Sequence, residues 1–287
     1  MIEVPNWEED IERIEAQVEE GAVIEAVPTS IIEHLSFQFG GDRDIVNESS
    51  LNDLSDYRKA IAHAIDREEL LSSTGVPWFG ETPGMIIPSS SAWDQYPYDP
   101  AAGAGLIEAI APDGAGAVLS TTGNGDYRIR IGDALEASFA AIGVAYEPVY
   151  LDSVLFFGET LNNGVFDLGM WAWVSDAGYT SQLQLLELFD PTASPPDGNF
   201  ARWGEGGLSD AAARFAEIVQ AARATIDPEE FASLVAEAED ILADNALLIP
   251  LFSRGQHVAW WADTVTGVVP NGSSATVTWN LEEWRFV

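Results

Sequence analysis

The chain contains no cysteine and a single lysine, Lys59, and its 12 basic residues face 47 acidic ones. Without cysteine there is no disulfide, no thiolate nucleophile and no sulfur-ligated metal, while exported bacterial proteins often lack disulfides, so the compartment stays open. A formal charge of −35 repels phosphate backbones and anionic lipid surfaces, which removes nucleic acid from the expected partners. No apolar run approaches the roughly 20 residues of a membrane span, so no transmembrane segment is expected. The N-terminal stretch "MIEVPNWEEDIERIEAQVEE" is acidic where a secretory signal is basic and then apolar, and it reads as neither signal nor lipid anchor. The motifs GxSxG, HExxH, GxGxxG and the P-loop do not occur, and His34, His63 and His257 are far apart in sequence with no ligand spacing. No catalytic residue, metal or cofactor is therefore expected. An acidic extracellular glycoside hydrolase stays as the enzyme alternative, because two catalytic carboxylates leave no spacing rule in a sequence.

What is present suffices for a globular body. The 287 residues are 47% hydrophobic, which allows a large core in one large domain or two ordinary ones. Residues 7–20 read as an amphipathic acidic helix. "AVIEAV" and "HLSFQFG" read as two strands around a turn-rich connection. The stretch "GVPWFGETPGMIIPSSSAWDQYPYDP" has five prolines and no helical period, so an ordered covering loop is expected. From residue 116 the order is strand "GAVLSTT", a helix from about 127 to 142 ended by Gly143, strand "VAYEPVYL", helix "SVLFFGETLNN" ended by Gly164, and strand "FDLGMWAW". That alternation predicts parallel strands with right-handed crossovers. Helices over about 208–225 and 228–243 follow, the second opened by Pro228 behind Asp227. "NALLIPLF" and "HVAWWADTVTGVV" then return to strand, with Trp260 and Trp261 pointing to opposite faces as structural residues.

"DYRKAIAHAIDREELL" reads as a helix that breaks and restarts. Asp66 followed by Glu69 has the form of a capping box, and Arg58 and Arg67 are expected in local ion pairs on the surface.

The same segment closely resembles the "vRqAiayAiDReel" signature of the extracellular solute-binding proteins of family 5, the peptide, oligopeptide and nickel group serving ABC importers. "YDPAAGAGLIEAI", "DALEASFAAIGVAYEPVYLD", "NNGVFDLGMWAWVSD" and "LVAEAEDILADNALLIPLF" resemble further blocks of that family in the family's order, over about residues 30–270. The resemblance implies an α/β fold, a type II periplasmic-binding-protein lobe with a parallel or mixed sheet flanked by helices. It implies residues 37–257 as lobe two, with 1–36 and 258–287 as remnants of lobe one, and crossings between the lobes at 37–40 and near Ser253–His257. Family members are longer, with a signal, often a lipid anchor, and a first lobe ahead of the part matched here. The implied function is not enzymatic: the C-terminal portion of a periplasmic or extracellular receptor, membrane-associated in its full-length form, that passes a solute to ABC permease subunits. An oligopeptide is the expected solute and an oligosaccharide the alternative.

The candidate ligand residues are Asp176, Trp173, Trp171, Trp203 and Trp78. One strand delivers Trp171 and Trp173 to one face and ends its regular run near Asp176, at the carboxyl edge where ligands sit in α/β sheets. By resemblance, Asp176 falls where peptide-binding members pair an aspartate with the ligand's α-amine, a charge-assisted hydrogen bond. Those members continue as "DYxDP", where this chain reads "DAGYTSQL". Trp171, Trp173, Trp203 and Trp78 offer aromatic faces for sugar rings or apolar side chains.

Overall fold

A computed structural model describes residues 2–4, 13, 16–18, 20–41, 51–76, 79–81, 84–123, 126–173, 178–205, 209–271 and 278–287. The acidic segment near the start shows helical turns at residues 13 and 16–18, and the rest of that predicted helix lies outside the described residues.

The β-branched stretch that reads as two strands folds as one, β2 (Ala22–Phe37). Its turn-forming Pro28, Thr29 and Ser30 are absorbed as a shift of register between Pro28 and Ile31, not as a turn, with the Thr29 hydroxyl donating to the Arg254 carbonyl on the neighbouring strand. That neighbour, β6 (Leu248–Trp261), is likewise one long strand where two were expected, and it pairs antiparallel with β2 from end to end. Along β6, Trp260 is buried and Trp261 exposed, as expected of adjacent strand residues.

The remaining strands build outward from this ribbon. β1 (Ile2–Val4) adds to the far edge of β6. On the other side β5 (Leu168–Trp173) pairs antiparallel with Ile32–Phe37 of β2, and β3 (Ala115–Thr122) and β4 (Val144–Leu151) continue the sheet in parallel, for an order of β1-β6-β2-β5-β3-β4. The predicted parallel unit is present, inside a mixed sheet. A separate pair joins β7 (Val265–Thr266) to β8 (Arg285–Phe286).

Helices cover the sheet at places their ends announce. α1 (Ser55–Ala64) stops at Ile65, and α2 (Arg67–Ser73) restarts behind Asp66, whose carboxylate accepts the Glu69 N–H at 3.0 Å. α3 (Pro100–Ile110) starts on the Asp99 cap, and α4 (Asp126–Ala141) returns the chain from β3 to β4. Between β4 and β5 the helical run takes a π turn over Phe156–Thr160 and ends at Gly164, whose φ of 67° is the left-handed conformation glycine adopts without strain. α5 (Tyr179–Leu188), α6 (Asp210–Ala224) and α7 (Pro228–Asp244) follow, and Asp227 caps the last of them by accepting from the Glu229 and Glu230 N–H groups.

Arg58 and Arg67 depart from the expected surface ion pairs. Arg58 is buried, donates to the carbonyls of Asn52, Asn245 and Ala246 at 2.7–3.2 Å, and lies 5.1 Å from the Phe39 ring centroid. Arg67 donates to the Pro250 carbonyl at 3.0 Å. For Arg58 the physical reason lies at the end of α7 (Pro228–Asp244), where terminal carbonyls have no helical partner and a cation satisfies them while complementing the helix dipole; Arg67 instead meets a carbonyl of β6.

The proline-rich loop covers core, as its aromatic content suggests. Val76, Phe79, Met85, Ile86, Trp93 and Tyr96 are all buried. Its attachment point is Glu239 on α7, a fully buried carboxylate accepting from the N–H groups of Met85 (2.7 Å), Ile86 (2.6 Å) and Ile87 (3.2 Å) and from Trp93 Nε1 (2.7 Å).

Candidate functional site

The carboxyl ends of β3, β4 and β5 lie at the end of the sheet where β2 and β6 run on past their neighbour, because Trp173, the last residue of β5, pairs with Ile32 while β2 extends back to Ala22. Period-two alternation puts Trp171 and Trp173 on one face with His34 and Ile32, their direct cross-strand partners.

Three of the five candidate residues meet on this face, under the segment whose Phe200 and Ala201 carbonyls accept from Gln38 and Phe39. Trp171 is 1% exposed and packs edge-on against Trp173 (6.0 Å), Phe166 (5.8 Å) and Phe156 (6.0 Å). Trp203 is buried edge-on to Phe215 at 5.4 Å and donates its indole N–H to the Phe189 carbonyl at 2.8 Å. Trp173 is half-buried beside Phe200 at 5.3 Å. With Ser36, Phe189 and Asn199, these tryptophans line a cavity of about 20 Å³, room for about one water. Trp171 and Trp203 form its walls. Asp176 and Trp78 lie outside the described residues.

Among the described residues, Trp171 Nε1 borders this aromatic wall without a hydrogen-bond partner. The His34 ring lies 4.8 Å from that of Trp171, and one of its nitrogens lies 3.5 Å from the Ile32 carbonyl. Burial holds its pKa down to about 4, so the imidazole is neutral at neutral pH.

The opposite face of β2 carries charge. Glu33, fully buried, receives Arg128 from the first turn of α4 through Nε (2.9 Å) and Nη2 (3.3 Å), and Arg254 from β6 through Nε (2.9 Å) and Nη2. Arg128 also donates to the Thr122 hydroxyl at the end of β3, and the Tyr127 ring lies 5.7 Å from the Arg128 guanidinium and 5.4 Å from that of Arg254. Burial alone would raise the Glu33 pKa, but the two guanidiniums outweigh it and hold it at about 2. Two cations on one anion leave a surplus positive charge in a strongly acidic chain.

No motif or periodicity singles out Glu33, Arg128 and Arg254 in the sequence, although each leaves a trace. Glu33 and His34 interrupt the apolar run "SIIEHLSF", and Arg128 stands in the first turn of a helix, where the dipole disfavours a cation. Chemically the edge offers the half-buried face of Trp173 and a buried neutral imidazole, with an ion cluster closed on itself on the other face of β2. Among the described residues no cluster of His, Asp or Glu could hold a metal ion.

A sequence model of the bacterial extracellular solute-binding proteins, family 5 (middle region), matches residues 4–194, more than half of the chain. No curated protein matches in sequence. In structure the chain is similar to the ABC transporter substrate-binding protein CtaP of Listeria monocytogenes, with TM-score 0.74, 16% identity, and 96% of this chain and 54% of that one covered. It is also similar to the oligopeptide-binding protein AppA of Bacillus subtilis in complex with a nonapeptide, with TM-score 0.71, 15% identity, and 96% and 55% covered. The periplasmic binding protein MelB of Agrobacterium fabrum in complex with stachyose gives TM-score 0.70, 18% identity, and 94% and 44% covered. The shared property is the fold, a mixed α/β lobe of the type II periplasmic-binding-protein kind, and the chain spans about half the length of the structures it matches.

Proposed function

The chain belongs to the bacterial extracellular solute-binding proteins of family 5, and we propose that it is the second-lobe portion of an ABC importer receptor that holds an oligopeptide between two lobes and presents it to a membrane permease. Family and fold are those of binding proteins, and among the described residues no helix is long and apolar enough to cross a membrane. Residues 37–257, with Ile32–Ser36 that pair with β5, form most of the solute-binding lobe in this reading, and the segments before the Pro28–Ile31 shift and after residue 257 belong to the other. Association with the membrane comes through the permease and through the full-length form.

The observation that carries the reading is the position of Trp173, half-buried as the last residue of β5 at the carboxyl edge of the sheet, beside the point where two strands leave it together. Ligands of open α/β sheets lie beyond that edge. Trp173, the half-buried member, offers its face to an apolar side chain of the solute, and Asp176, four residues past Ala172, supplies the carboxylate for its α-amine. An oligosaccharide is the second reading: an indole face stacks on a sugar ring as well, and the MelB complex holds stachyose on the same fold.

Closure is driven by contacts made only in the closed state, so both lobes must contribute. The chain alone therefore binds weakly, with a Kd of about 1 mM or above. Two-dimensional NMR titrations with a mixture of oligopeptides and with cello-oligosaccharides test this. Shifts confined to β5 and the segment after it, given by free-amine peptides and lost in Trp173→Ala and Asp176→Asn, are expected. Shifts from sugars but not peptides replace the peptide reading, and micromolar affinity overturns the claim that a second lobe is needed.

A further inference from the structure

The register of β2 against β6 shifts twice, between Pro28 and Ile31 and again between Glu33 and His34. Three pairs lie between the shifts: Ile31 with Arg254, Ile32 with Ser253 and Glu33 with Phe252. Both charged strand residues of the buried cluster, Glu33 and Arg254, stand in this short stretch, and Arg128 joins them from α4. The same stretch is tied a third time, where Gly80 and Ser253 exchange two backbone hydrogen bonds at 2.9 and 2.8 Å. Beyond the outer shift, Ala22–Pro28 pair with Gly255–Trp261 and, among the described residues, with no strand of the β5-β3-β4 side.

A register shift bends and twists a strand locally, so a two-stranded ribbon interrupted in this way flexes there more easily than along its regular ladders. Apolar packing against that point would let the ribbon slide. Guanidinium forks on one carboxylate behave differently, because each pair of N–H groups fixes direction as well as distance, and parting buried charges is costly. Arg128 belongs to a 16-residue helix of the lobe and Arg254 to a strand that leaves it, so Glu33 links the two through a single carboxylate.

We propose that Glu33, Arg128 and Arg254 form a clamp that sets the angle at which the two crossing strands leave the lobe, with the adjoining shift at Pro28–Ile31 as the flex point. Calling this motion lobe closure rests on the receptor reading above; the clamp itself rests on contacts within this chain. Arg128 and Arg254 act as positioning residues, since their forks are taken up by Glu33. The clamp also places the first crossing at Pro28–Ile31, upstream of the stretch at 37–40 where β2 ends.

The absence of native cysteine makes the test direct, since two introduced cysteines are the only spin-label sites. One pair, Glu25→Cys with Glu136→Cys, reports ribbon against lobe, and a second, Glu136→Cys with Gln220→Cys, reports the lobe alone; all three positions are exposed. Pulsed dipolar EPR on the full chain should give a narrow ribbon-to-lobe distance distribution. Arg254→Gln should widen it at least twofold and leave the lobe-only distribution unchanged, with Arg254→Lys in between. An unchanged ribbon-to-lobe distribution in Arg254→Gln overturns the clamp while leaving the receptor reading intact, and a widened one supports the clamp even if no solute is ever bound. Hydrogen exchange on the unsubstituted chain tests the flex point without any variant. Amides of Ala22–Val27 exchanging at least 10-fold faster than those of Ile32–Phe37 support it, and equal protection refutes it.

Discussion

Glu239 offers the sharpest test of how this lobe holds its irregular half together. Its two carboxylate oxygens take four donors: Oε1 accepts from Met85 N–H and Trp93 Nε1, and Oε2 from Ile86 and Ile87 N–H. Burial pushes this carboxyl's pKa up, and the four donors oppose the shift by stabilising its ionised form. Glu239→Ala strands all four donors in a buried site. At about 1 kcal/mol for each unmet buried donor the loss is about 4 kcal/mol, or roughly 8–16 °C in Tm for a chain of this size. Glu239→Gln keeps one acceptor oxygen and should lose about half as much. Thermal unfolding followed by circular dichroism measures the totals, and limited proteolysis locates them. Cleavage should appear first between residues 75 and 100, with Trp93 emission shifting to the red. If Glu239→Ala melts within 2 °C of the unsubstituted chain, or if the loop stays as resistant as before, the carboxylate is not what pins it.

Further outcomes follow from the buried charges and caps. Glu33 titrates at about 2 against an ordinary 4.5, so it contributes about 3 kcal/mol that is fully present above pH 4.5 and fades as pH falls toward 2. Urea midpoints measured from pH 7 to 2 should show that decline, and Glu33→Gln should flatten it. His34, held at about 4 against 6.5, also favours the fold in its neutral form, so its contribution declines as pH falls from 6.5 toward 4. His34→Phe should remove that earlier part of the pH dependence. Asp66→Ala should cost about 1 kcal/mol, the ordinary value of an N-cap, because its carboxylate serves the Glu69 N–H. Trp203→Ala, which opens a cavity and strands the Phe189 carbonyl, should cost about 3–5 kcal/mol in chemical denaturation.

Local chemistry sufficed wherever a signal and its consequence lie within a few residues. The alternation from "GAVLSTT" to "FDLGMWAW" specified β3, α4, β4 and β5, with Gly143 and Gly164 as helix stops, since both have positive φ. Asp66 and Asp227 marked helix starts through hydrogen bonds two or three residues away. The order of short family-like blocks identified the fold for a similar reason, as each block is a local element. Pro28-Thr29-Ser30 misled because turn-forming residues also suit a bulge, and only a long partner strand decides between the two.

Tertiary structure decided whatever depends on partners far apart in the chain. Arg128 and Arg254 lie 95 and 221 residues from Glu33, and Glu239 lies 146 residues from Trp93. No periodicity joins such positions, yet a buried carboxylate is stable only where those donors arrive. Trp171 and Trp203 read as possible ligand faces because nothing in the sequence states which side of a tryptophan another layer will cover. Local pattern determined most of the elements and their ends, and the order of the resembling blocks pointed to the family; the packing of distant elements determined which charges are buried, which rings become walls, and where the ribbon bends.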